Sequence, residues 1–140
     1  AYDRALVALN KSASLKPEDA GLFLDRALIH AALQDYWSAV DDLNRVIDRE
    51  PRAIDALILR GSAYRQLEVT DLAKDDIDRA LAAQPYNIDA LLERSLLARD
   101  SGDKTGARLA WIKILELEPN SAVADVVRRH IEEMDLVPDP

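Results

Sequence analysis

Apolar and polar positions recur along this chain at two scales. Over short windows they follow the three-and-four spacing of one helix face, as in Tyr2, Ala5, Leu6, Leu9 and Ala13. Over long stretches the whole pattern returns. Residues 20–51 begin small and apolar, turn over at Gln34-Asp35 and stop at a proline, and residues 54–85 and 88–119 repeat that plan. Pro17, Pro51, Pro85 and Pro119 are each 34 residues apart. A sustained period of this length marks a repeat architecture, in which each unit is one supersecondary motif that needs its neighbours to bury its apolar face.

The short-range pattern predicts a helix over 2–15, ended at Lys16-Pro17 because a residue before proline avoids the α region. Helix pairs follow at 20–33 and 37–49, at 53–66 and 71–83, and at 88–99 and 104–117. A final helix is predicted over 122–134, with a frayed tail at 136–140. Asp19, Asn87 and Ser121 stand where a helix needs an N-cap acceptor, and Ala53 is the exception. Gly102 suits the third intra-pair turn, whereas the first two carry Gln34 and Glu68 and are expected to be less stable.

Stacking the repeats gives columns with physical meaning. Ala5, Ala39, Ala73 and Ala107 mark a close helix–helix approach, and Leu9, Leu43, Ile77 and Trp111 fill the space one turn later. Ala27, Gly61 and Ser95 are the small positions of the first helices, with Phe23, Leu57 and Leu91 as bulky anchors and His30 and Tyr64 further along. In these columns the chain resembles the tetratricopeptide repeat family over nearly its whole length. It departs from the pattern at Ala98 and His30, where an aromatic is usual. The resemblance implies an all-α, right-handed superhelical solenoid of antiparallel helix pairs, first helices lining its concave face. The segments would be 1–18 (the second helix of a truncated repeat), repeats at 19–53, 54–87 and 88–120, a capping helix at 121–135 and a tail at 136–140.

Composition narrows the function. The chain has 49% hydrophobic and 31% charged residues and a net charge of -8, with its 18 basic residues scattered. That balance argues against nucleic acid as a partner, because phosphate backbones are held by dense basic patches. No apolar run approaches the roughly 20 residues of a membrane span, so no membrane insertion is expected. Cysteine is absent, which excludes disulfides, thiolate catalysis and cysteine metal sites. No phosphate loop, nucleophile elbow or acid–base pair is present, and no catalytic residue, metal site or cofactor is expected. Of the two histidines, His30 sits in a packing column, and His130 lies beside Glu133 with at most a weak metal site.

Arg26, Arg60, Arg94 and Arg128 form a column, and Asp42 and Asp76 a matching one in phase with it, so repeated buried ion pairs are expected rather than an anion-binding ladder. Ala110 stands where Arg94 would need its aspartate. Lys11, Arg45, Arg79 and Lys113, with Asp41, Asp75 and Asp78, read as a solvated outer surface.

By the resemblance, the concave groove would be lined by Leu24, Leu28, Ile58, Ser62, Leu92 and Leu96, with Arg65 and Arg99 on one lip and Asp25, Asp55, Asp89 and Glu93 on the other. Such an apolar floor suits a protein or peptide segment. The expected function is a non-catalytic interaction scaffold; the alternative is an assembly module that self-associates. The column residues Tyr2, Ala5 and Leu9 belong to a helix whose partner would precede this sequence, and a homodimer through that N-terminal helix is expected. On the last helix the corresponding columns hold Asp125, Arg129 and Glu132, so the stack is expected to end there, with Val123, Val127 and Ile131 facing back.

Overall fold

The computed structural model describes residues 1–138. Among them every regular element is an α-helix: α1 (Tyr2–Leu15), α2 (Ala20–Ala32), α3 (Tyr36–Arg49), α4 (Ile54–Gln66), α5 (Thr70–Ala83), α6 (Ile88–Asp100), α7 (Lys104–Leu117) and α8 (Ala122–Leu136). The chain divides into two compact units, Ala1–Ala83 and a second from Gln84 onward. In the first, α2 packs on α3 and α4 on α5 as the two main pairs, with α1 against α2 and α3 against α4. In the second, α6 packs on α7 and α8 adds to α7.

Local chemistry sets the helix ends. The Asp19 carboxylate accepts from the Gly21 and Leu22 amides, Asn87 from Ala90 and Ser121 from Ala124, satisfying donors that a helix start leaves free. Ala53 gives α4 no side-chain cap. Each intra-pair turn closes on a left-handed residue: Gln34 (φ 61°), Glu68 (φ 60°) and Gly102 (φ 83°). The pair of hydrogen bonds recurs each time, for instance Asp35 N–H to His30 and Gln34 N–H to Ala31. Only the third turn uses glycine, so the first two hold a side chain where L-residues are disfavoured.

The columns form the core. Ala39, Ala73 and Ala107 are fully buried, as are Leu43 and Trp111, while Phe23, Leu57 and Ile77 are nearly so. Gly61 meets Ile77 so closely that an added Cβ would lie 2.8 Å from Ile77 Cδ1. At α1 the same columns are left open: Ala5 and Leu9 are only half-buried.

Two expectations need correction, at Ile58 and at the end of α8. Ile58 is buried on α4, which packs against α3 and α5. On α8 Val127 is fully buried and Val123 and Ile131 are half-buried, with Ala124 and Met134 adding buried surface. Asp125, Arg129 and Glu132 are exposed. Finally, α8 runs to Leu136, into the stretch expected to be a frayed tail, whose last two residues lie outside the described ones.

Candidate functional site

The charged columns are used internally in the first unit. Arg26 donates from Nε and Nη2 to Asp42 at 2.8 and 2.6 Å, and Arg60 to Asp76 at 2.7 and 2.7 Å. Both aspartates are buried, and both arginine pKa values are raised, chiefly by the hydrogen bonds to their carboxylates and against the opposing cost of burial. The remaining guanidinium nitrogen, Nη1, donates to Asn10 from Arg26 (3.2 Å) and to Asn44 from Arg60 (2.8 Å), each on the preceding outer helix. This asparagine column was missed in the sequence, although its members stand one period apart in phase with the arginines. The third repeat breaks the ladder: Ala110 stands in the aspartate's place, and Arg94 is exposed.

In the outer basic column Lys11, Arg45 and Arg79 are exposed. The Arg45 guanidinium lies 4.9 Å from the Phe23 ring centroid and the Lys113 ammonium 5.0 Å from that of Tyr86. Lys74 and Asp78 form an exposed pair at 2.6 Å.

With the arginine ladder spent on folding, the first helices offer the remaining candidate faces, one in each unit. In the first unit Leu28 is 49% exposed, Leu24, Ser62 and Arg65 are half-buried, and Ile58 is buried. In the second unit Leu92 and Leu96 are half-buried. Arg99 is committed to Asp100, at 2.9 and 3.1 Å, and approaches His130 at 3.5 Å.

The histidines serve packing. His30 is largely enclosed, between Asp35 at 3.6 Å and Asp42 at 3.8 Å. His130 stacks on Trp111, with centroids 5.6 Å apart and planes 11° apart. Burial and the charge of Arg99 hold its pKa below the ordinary histidine value, although Glu133 pulls the other way. Among the described residues no three or more His, Cys, Asp or Glu side chains are grouped to hold a metal ion, and no helix is long and apolar enough to cross a membrane.

Comparison with known proteins agrees with this architecture. The tetratricopeptide repeat family matches at residues 1–62 and again at residues 54–87. A tetratricopeptide repeat protein from Parabacteroides merdae superposes with a TM-score of 0.86 over 95% of this chain and 52% of that one, at 21% identity. MamA superposes with a TM-score of 0.77 over 84% of this chain and 69% of that one, at 21% identity. MamA from Desulfovibrio magneticus RS-1 gives 0.79 over 86% and 68%, again at 21% identity. At these identities the likeness is one of fold, and the chain spans about half the length of the Parabacteroides protein. No curated protein matches the sequence.

Proposed function

As this chain belongs to the tetratricopeptide repeat family, we propose that it is a non-catalytic scaffold holding a segment of a partner protein against the apolar faces of its first helices. Leu28 carries the reading. It is a leucine 49% exposed on α2, while Phe23 and Ala27 of the same helix are buried. Leu24 beside it, and Leu92 and Leu96 in the other unit, add partly open apolar surface; Ser62, Arg65 and Arg99 supply polar contacts at the margins. Exposed leucine at helical spacing fits an extended or helical segment with apolar anchors. The repeat boundaries at 18/19, 53/54, 87/88 and 120/121 belong to the same reading.

Selection of displayed peptides against the folded chain tests it. Selected segments should lose at least about tenfold in affinity to Leu28→Asp or Leu92→Asp with helicity intact, the cost of losing one anchor. Undiminished binding by both folded variants would overturn the proposal. Ile58→Asp is no test, because that residue is buried.

A second reading, self-association through α1, is favoured by one observation. Ala5 and Leu9 are half-exposed, whereas Ala39 and Leu43 in the same columns are fully buried. A dimer seen in sedimentation and dissociated by Leu9→Glu would support this reading. A monomer at every concentration would end it.

A further inference from the structure

The junction between the start of a first helix and the end of its second helix is closed differently in each repeat. In the first, Glu18 and Arg49 pair at 2.6 Å, and Arg49 also donates to the Pro17 carbonyl at 3.2 Å. In the third, Tyr86 stands where Glu18 does, with the Lys113 ammonium 5.0 Å from its ring centroid. In the second repeat these places hold Arg52 and Ala83. The pair is gone, and a cavity of about 540 Å3 opens, lined by Arg52, Ile54, Leu57, Arg79, Ala82 and Ala83.

Its two cations are poorly matched. Among the described residues Arg52 makes no ion pair, not even with exposed Asp55 one turn into α4. Arg79 donates to the Pro51 carbonyl at 3.3 Å and stands 3.7 Å from Asp76. Both Asp76 oxygens already accept from Arg60, so that carboxylate is only a partial counter-ion for Arg79. In a chain of net charge -8, two guanidinium groups share one cavity with an apolar wall of Ile54, Leu57 and alanines.

We propose that this cavity is a binding site for an acidic side chain followed by an apolar one in a peptide partner. The carboxylate bridges Arg52 and Arg79, and the apolar neighbour lies against Ile54 and Ala82. Guanidinium forks match carboxylate geometry, and the wall gives the contact more than charge. The site is distinct from the first-helix faces and does not depend on them.

Titration of the 15N-labelled chain with acetyl-Glu-Leu-amide tests this at low salt. Saturable shifts should appear at the Ile54, Ala82 and Ala83 amides, with an affinity of about the millimolar order for so small a probe. Arg52→Gln and Arg79→Gln should each weaken binding about fivefold or more. The double variant Arg52→Glu, Ala83→Arg rebuilds the Glu18–Arg49 pair and should abolish it while keeping the fold, since both positions are exposed. Leu28→Asp, which breaks the first-helix face, should leave the titration unchanged. Equal binding of acetyl-Gln-Leu-amide, equal binding of inorganic phosphate alone, or unaltered affinity in Arg52→Gln would each overturn the proposal.

Discussion

The two units are built on one repeat pattern but are held by different interactions. The N-terminal unit contains two buried aspartates, each gripped by an arginine that also reaches an asparagine of the preceding outer helix. The C-terminal unit has Ala110 in the aspartate's place and leaves Arg94 exposed. It relies instead on a fully buried tryptophan with a histidine of α8 stacked on it. Their outermost helices differ too: α1 leaves its column half-open, whereas α8 presents charge outward and buries Val127 completely. A repeat thus keeps its apolar columns because helix contact demands them, while its polar network can be exchanged for aromatic packing.

The largest effect should come from breaking that network. Asp76→Ala strands the mostly buried guanidinium of Arg60 and should cost about 3–4 kcal/mol in a denaturant titration. Arg94→Ala in the other unit should stay within about 0.5 kcal/mol. Equal costs would erase the contrast. Next comes the large-residue column: Leu43→Ala, at a fully buried position, should cost about 3 kcal/mol. Leu9→Ala at the half-open end should cost less than about 1 kcal/mol. A similar loss at both positions would mean that α1 is covered in solution.

The turns give a smaller difference of opposite sign. Gln34→Gly relieves a left-handed residue and should stabilise the N-terminal unit by about 1 kcal/mol, whereas Gly102→Ala should destabilise the other by a similar amount. Thermal melts of the two variants decide this. The smallest effect is a pH dependence confined to the C-terminal unit. His130 has a lowered folded pKa, so between that value and about 6.5 the unfolded chain binds the extra proton. Its contribution is fully present above about 6.5 and is lost as pH falls through the folded value. Melting temperatures from pH 7.5 downward should show this decline, and His130→Gln should flatten it. An identical slope in that variant would assign the dependence to other groups.

What the sequence determined by itself is whatever depends on spacing along one chain. Helix period and repeat period together bring Ala39, Ala73 and Ala107 to equivalent buried places, and they put Arg26 in phase with Asp42. The caps Asp19, Asn87 and Ser121 were legible for the same reason, since a cap acts within one turn of its helix. Exposure was not legible, because it depends on how many neighbouring helices reach a face. Leu28 and Ile58 read alike in the sequence, yet Ile58 is buried on α4 and Leu28 remains open on α2, although each helix has a neighbour on both sides. His130 could be placed on α8 but not over Trp111, since the rotation of that helix is set by how its small and large residues fit α7. The cavity beside Arg52 is likewise a tertiary result. It exists because Ala83 leaves unfilled a volume that Arg49 crosses in the preceding repeat, and packing alone decides whether such a space is closed.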